Sequence, residues 1–239
     1  MKKCLSGNTL KLLACLFMLL DHLGVVLWPR VLILRYLGRL AFPIFAFLIA
    51  EGARYTRRRA VYLGRLFVIG LLCQAVVLFF VGPKVQMNIF LTFSFSVALI
   101  YLLGLCRRLW ESADAPPTVR RALPILLFSA ALAVVGILTY LVHFDYGFFG
   151  ALTPVLVSLP VIARREGRAS FAAERLGMLI LALAALSVAL GTYEYLCLLS
   201  VPLIALYSGE RGRYRLKYFF YAFYPIHLAV IYGMDMLLS

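Results

Sequence analysis

The chain has 239 residues, 64% of them hydrophobic and 14% charged, against about 45–50% and about 25% in ordinary soluble proteins. A soluble domain of this size cannot hide so much apolar surface from water, which excludes a soluble enzyme, a disordered chain and a disulfide-stapled secreted domain. A net charge of +14 would suggest nucleic acid on a soluble chain, but these cations punctuate hydrophobic runs and are read as setting membrane orientation.

A membrane-crossing helix needs about 20 largely apolar residues. Nine such runs follow one another, at about 10–28, 31–51, 60–82, 87–106, 121–142, 146–163, 175–190, 193–207 and 218–238. The runs are continuously apolar rather than alternating, which predicts an all-α, polytopic transmembrane helix bundle and not a barrel. Lys2 and Lys3 ahead of the first run resemble the start of a signal peptide. Asp21 and His22 interrupt that run, however, and no cleavage site follows, so it is expected to be a retained helix. The seventh and eighth runs are short and joined by Gly191-Thr192; they either cross separately or form one re-entrant pair. The longest polar stretch, Arg107 to Arg121 with Asp114 inside it, reads as a loop. Residues 1–239 are thus expected to form a single integral membrane domain. Five scattered cysteines with no close pairing indicate neither a disulfide framework nor a zinc site.

With nine spans, 20 of the 24 Lys and Arg residues fall on the side of the N-terminus. The other side holds Arg30, Arg35, Arg39 and Lys84. Positive residues collect on the cytoplasmic side, so the N-terminus is expected inside.

Ionisable residues within a span are costly and are functional candidates by default. Counting about 1.5 Å per helical residue from Lys11, Lys217 and Val31, Asp21, His22, Arg39 and His227 are expected to converge near the bilayer midplane. Pro43 and Pro225 sharpen this, because each frees the carbonyl four residues earlier, at Arg39 and Tyr221. Asp21 and His22 are neighbours and therefore point about 100° apart on a helix. Asp21 either orients His22 or holds Arg39 in an ion pair. His227 follows the aromatic run Tyr218 to Tyr224 and is either a reacting group or a packing residue. Arg57, Arg58 and Arg59 serve as an orientation signal or as a ligand grip. His143 and Asp145 lie at the outer end of the fifth run, and Arg35 is expected to snorkel to the nearby interface.

Several of these residues fall in longer stretches: Lys11 to Ala14 with Met18 to His22, Gly38 to Phe45, and Glu51-Gly52 with Thr56, Tyr62 and Arg65-Leu66. Asn88 to Thr92, Asp145-Tyr146-Gly147 with Gly150, and Phe220-Tyr221 with Tyr224 to Leu228 complete the set. In order over nearly the whole chain, these stretches resemble the TraX family. The resemblance implies a pilin acetylase-like integral membrane acyltransferase of a bacterial cytoplasmic (inner) membrane, and it implies acyl transfer better than it implies pilin.

The residues suit that chemistry. Acyl transfer from a thioester needs a base for the attacking group's proton and a cation or hydrogen-bond donor where charge develops on the carbonyl oxygen. The expected catalytic set is His22, Asp21, Arg39, His227 and Tyr224, with His22 as general base. The expected donor is acetyl-CoA from the cytoplasm, its phosphates held by Arg57, Arg58 and Arg59. The acceptor is expected at the outer face near Asp145 and Tyr146: a protein N-terminus, a glycan or a lipid. No metal and no nucleic acid are expected. An acyl-histidine on His22 or His227 is the rival route. Two other classes compete: a proton-coupled transporter or flippase, and a non-catalytic assembly protein.

Overall fold

The computed structural model describes residues 4–83, 86–112, 116–163, 168–214 and 216–238, with no account of the side chains of 168–171, 192 and 217. Lys2, Lys3, Lys84, Asp114, Arg164, Arg165 and Arg215, which enter the sequence argument, lie outside the described residues. The elements are α1 (Gly7–Val26), α2 (Leu32–Gly38), α3 (Ala41–Tyr55), α4 (Arg59–Val81), α5 (Ile89–Glu111), α6 (Pro117–Leu141), α7 (Gly147–Ala163) and α8 (Arg168–Leu190). A 3₁₀ helix (Thr192–Leu199), α9 (Ser200–Ala205) and α10 (Lys217–Leu238) complete the chain. Among the described residues there are no strands, only isolated bridges. Among the described residues, seven segments are long and apolar enough to cross a membrane, with α2 and α3 counted together. The protein is a multi-pass helical membrane bundle.

Local chemistry explains the boundaries. Ser6 caps α1 by accepting from the Thr9 N–H. Helix α1 therefore begins before Lys11, and Lys11 is half-buried within it. The second span breaks at Arg39-Leu40, between α2 and α3. Pro43 cannot donate to the Arg39 carbonyl, which is why the helix is interrupted there. Asn88 caps α5 by accepting from the Phe90 N–H. Its amide also donates to the Gly70 carbonyl at 2.7 Å and its backbone N–H donates to Gln74 Oε1 at 2.9 Å, fastening α5 to α4. Helix α8 is longer than the sequence predicts, because it continues through Glu174-Arg175. Arg175 is buried and ion-paired with Glu51 of α3, with its guanidinium 4.6 Å from the Phe47 ring centroid. A charge that reads as part of a loop is inside the bundle.

The eighth pass is the unusual one. At its start Glu194 meets Arg39; at its far end Tyr207 pairs with Leu5, just ahead of α1. It therefore runs the length of α1 between Leu5 and Asp21, about 24 Å. Eight residues at the 3₁₀ rise and six at the α rise together span about 25 Å. The stretched helix lets a short segment make a full pass, turned at Gly191, whose φ of 68° suits glycine. The passes therefore alternate as nine spans require. One end, the inner end by its basic loops, gathers the start of α1, the 55–58 turn and the 207–211 turn. The other gathers the α2–α3 break, the 86–89 turn and the 143–147 turn.

Helix α2 packs closely on α1. A Cβ on Gly38 would overlap the Asp21 side chain. Gly38→Ala is expected to cost about 1–3 kcal/mol, read as a lower thermal unfolding midpoint of the purified protein in detergent, with Gly177→Ala, where a Cβ meets nothing, leaving it unchanged.

A candidate active site between two cavities

Two cavities enter the bundle from opposite ends. The inner one, about 660 Å³, is lined by Lys11, Arg58, Arg65, Arg211 and, deeper, by Leu48, Ile49 and Phe93. The outer one, about 940 Å³, is lined by Asp21, His22, Arg35, Arg39, Asp145 and Glu194. Met18, Phe45, Ile89 and Tyr224 line both, so these four side chains form the partition.

His22 and His227 meet at this partition. His22 Nδ1 lies 2.9 Å from the Met18 carbonyl and 3.2 Å from His227 Nε2, and His227 Nδ1 lies 2.9 Å from the Phe223 carbonyl. A carbonyl only accepts, so each Nδ1 carries its proton. In the neutral rings both Nε2 atoms then hold lone pairs. His227 Nε2 accepts the second branch of the His22 Nδ1–H, and His22 Nε2 is left as a base. His227 is buried and stacks on Phe223 at 4.9 Å between centroids. Tyr224, also buried, stands edge-on to both imidazoles, at 6.1 Å from His22 and 5.3 Å from His227.

Asp21 does not orient His22. Its Oδ1 accepts from Arg39 Nη2 at 2.6 Å and from Arg35 Nη1 at 3.0 Å. Arg35 therefore does not snorkel to the interface as expected; the 27–31 turn folds α2 back onto α1 and brings it to this carboxylate. Arg39 Nη1 donates to Glu194 Oε1 at 2.5 Å. Glu194 is buried, and its Oε2 has no partner among the described residues. A ladder Arg35–Asp21–Arg39–Glu194 thus lines the outer cavity. Nothing in the sequence singled out Glu194; a carboxylate three residues into an otherwise apolar pass was the available signal.

The expected convergence of Asp21, His22, Arg39 and His227 holds, but it is not central along α1. Asp21 stands about 21 Å from Gly7 and about 8 Å from Val26. Counting from Lys11 misplaced it because the helix starts four residues earlier, at Gly7.

Asp145 and Tyr146, expected on the acceptor side at the outer face, line the outer cavity together with Asp21, His22 and Arg39. Tyr146 stacks on Phe42 at 4.1 Å, with the Arg39 guanidinium 5.9 Å from its ring centroid. The turn that carries them is held by Thr92 Oγ1, which donates to the Asp145 carbonyl, and by the Asp145 N–H, which donates to the Met87 carbonyl. His143 and Tyr146 adopt left-handed backbones, φ 52° and 58°, a strain that persists only where surroundings fix it. Burial pushes the Asp145 carboxyl up to about 7, with Arg39 opposing the rise and Asp21 and Glu194 adding to it. Of the three adjacent arginines, Arg58 lines the inner cavity, Arg59 lies over the Tyr101 ring at 5.4 Å, and Arg57 is exposed on the turn between.

Comparison with known proteins agrees with the resemblance read from the sequence. The family model described as TraX protein matches residues 6–235. A probable fimbrial assembly protein, FimC of serogroup H1 from Dichelobacter nodosus, is 25% identical over 254 aligned positions, covering 98% of this chain and 97% of that protein. No solved structure matches the chain. With the match running from the cap of α1 almost to the end of α10, the chain belongs to the TraX family.

Proposed function

We propose that the protein is a membrane-embedded acyltransferase of a bacterial cytoplasmic membrane. In this reading it moves an acetyl group from cytoplasmic acetyl-CoA to an amine or hydroxyl presented at the outer face. The observation that carries the reading is the His22–His227 contact, at a partition with one cavity on each side. The donor thioester comes up the inner cavity and the acceptor down the outer one, so the two substrates meet without either crossing the membrane.

The chemistry balances with these groups. His22 Nε2 takes the proton from the acceptor nitrogen or oxygen as that atom bonds to the thioester carbonyl carbon. The Nδ1–H bond to His227 becomes charge-assisted at that moment and stabilises the imidazolium, as a carboxylate does in a serine hydrolase triad. The Tyr224 hydroxyl and the Arg39 guanidinium are the donors available to the developing oxyanion. Collapse breaks the carbon–sulfur bond, and the proton on His22 passes to the departing thiolate. Asp21 and Glu194 hold Arg39 in place, and Asp145 meets the acceptor.

The test is transfer in proteoliposomes. Purified protein, radiolabelled acetyl-CoA outside inside-out vesicles and a peptide with a free N-terminus or a sugar alcohol in the lumen should give luminal acetyl product and free CoA in equal amounts. Label trapped on the protein without acceptor would replace direct transfer by an acyl-histidine. A luminal acceptor left unmodified, together with no release of free CoA, would remove the enzyme reading in favour of transport.

A further inference from the structure

We infer that Glu194 selects the acceptor and that the acceptor is a neutral sugar. One of its hydroxyls reacts at His22 while a second donates to the Glu194 oxygen that has no partner. The inference rests on the transfer reading above and deepens it, naming a substrate class and giving Glu194 a role besides holding Arg39.

The first argument is the balance of donors and acceptors. Among the described residues, Arg35 and Arg39 are the guanidinium groups on the outer cavity wall. Both are taken, Arg35 by Asp21 and Arg39 by Asp21 and Glu194. No arginine is therefore spare for a phosphate or a sugar acid. The spare group is an acceptor: Glu194 lines the cavity, is 8% exposed, and its Oε2 has no hydrogen-bond partner. A carboxylate oxygen shielded from water and left without a donor is costly, so a substrate that brings an O–H to it is favoured. Burial pushes the Asp145 carboxyl, on the same wall, up to about 7, so near neutral pH it carries only part of a charge. Two cations thus face two carboxylates and part of a third. That balance excludes an anionic acceptor, and it favours the protonated form of an amine, which has no lone pair with which to attack. A hydroxyl binds in the form that reacts.

The second argument is shape. A pyranose has an apolar face of C–H bonds and an edge of hydroxyls. Phe42, Tyr146, Tyr224 and Tyr232 give the cavity aromatic surface for the face, and the ladder from Arg35 to Glu194 gives it a polar edge. Its volume, about 940 Å³, lies at the upper end of the range for ligand sites, about 300–1,000 Å³. His22 follows Asp21 in α1, and Arg39 joins Asp21 to Glu194. The base and the unpartnered oxygen therefore belong to one connected wall. In the transfer step the reacting hydroxyl gives its proton to His22 Nε2 as its oxygen bonds to the thioester carbonyl carbon, and the thiolate leaves. The second hydroxyl keeps its proton and only donates a hydrogen bond, so the charge on Glu194 does not change. A site built to pair a substrate hydroxyl rejects analogues that lack it, because its own buried group is then left unpaired.

The experiment uses the full chain in phosphatidylcholine nanodiscs without donor, with binding read by saturation-transfer NMR. The probes are the methyl glycosides of glucose and galactose, their deoxy and deoxyfluoro analogues, methyl glucuronide and trialanine. A glycoside should bind, and one ring position should be sensitive. Removing its hydroxyl, or replacing it by fluorine, which cannot donate, should weaken binding to the wild type at least about tenfold. In Glu194→Gln the amide donates in place of Oε2, so the fluorine penalty at that position should shrink to about threefold or less. The glucuronide should bind at least about tenfold more weakly than the glucoside, and trialanine should not compete. Deoxyfluoro analogues that all bind as their parents overturn the role of Glu194, a result that needs no variant and stands even if Glu194→Gln does not fold. A position equally sensitive in Glu194→Gln overturns it too. Competition by trialanine, tighter binding of the glucuronide, or no binding of either glycoside overturns the sugar assignment. The expected binding pattern without acetyl transfer to the glycoside removes the acyltransferase reading and leaves the site; transfer to the glycoside at the wild-type rate in Glu194→Gln does the reverse.

Discussion

His22→Ala should slow acetyl transfer by about 10³-fold while CoA still binds. General base catalysis contributes about 10²–10⁴-fold, and His22 lines the outer cavity with its Nδ1 proton directed to the Met18 carbonyl, which leaves its Nε2 to accept. His227→Ala should cost less, about 10–100-fold, because His227 acts through His22: its Nε2 receives the His22 Nδ1–H at 3.2 Å and touches neither cavity. The two roles separate by rescue. His227→Gln keeps an acceptor oxygen and should regain part of the rate, whereas His22→Gln has no titrating nitrogen and should regain none. The pH profile separates them as well. Losing the His227 acceptor destabilises the protonated form of His22, so the acidic limb of the profile, which reports the base, should move to lower pH. An unchanged profile would make His227 a packing residue. If the two variants lose equal rate and neither glutamine rescues, the pair acts as a unit and the assignment of separate roles fails.

Much of the fold could be read ahead because bilayer solvation acts on each segment alone. A helix whose backbone bonds close internally needs only length and apolarity to cross, and those are written locally in every run from α1 to α10. The ends of the passes were harder. Whether α1 begins at Gly7 or near Lys11 depends on the Ser6 cap, and whether the eighth run crosses at all depends on its 3₁₀ rise. Asp21, His22, Arg39 and His227 announced themselves as ionisable groups in apolar surroundings. Their pairing did not, because it is set by helix packing over separations no local pattern encodes: Arg39 with Glu194 across 155 positions, and His22 with His227 across 205. Arg35 and Arg175 look like loop or interfacial charges in the sequence. The packing of α2 on α1 and the approach of α8 to α3 turn them into partners for Asp21 and Glu51.

Removing Arg39 should be the most damaging single change to the fold. The guanidinium links Asp21 on α1 to Glu194 on the 3₁₀ helix, so Arg39→Ala leaves two carboxylates facing one cavity, with Arg35 the remaining cation on Asp21. Breaking one partner out of a buried ion pair costs about 3–5 kcal/mol; Asp21 and Arg39 are half-buried, so the lower end, about 3 kcal/mol, applies, or roughly a 6–12 °C fall in thermal midpoint for a chain of this length. Arg39→Lys should recover little. Its single ammonium cannot place separate donors on Asp21 Oδ1 and Glu194 Oε1, which Arg39 holds at 2.6 and 2.5 Å from two different nitrogens. The triple variant Asp21→Asn/Arg39→Met/Glu194→Gln removes three of the ladder's four charges, leaves Arg35 at its more exposed end, and should restore most of the midpoint, since replacing an ionic cluster by neutral groups of similar volume is about neutral. It should not restore transfer, because the guanidinium assigned to the developing oxyanion is gone, and Arg35, the cation that remains on the cavity wall, is not one of the donors assigned to it. Thermal unfolding followed by size-exclusion in detergent reads the first property and acetyl transfer the second. A stable triple variant that still transfers would show that the ladder only holds α1, α3 and the eighth pass together.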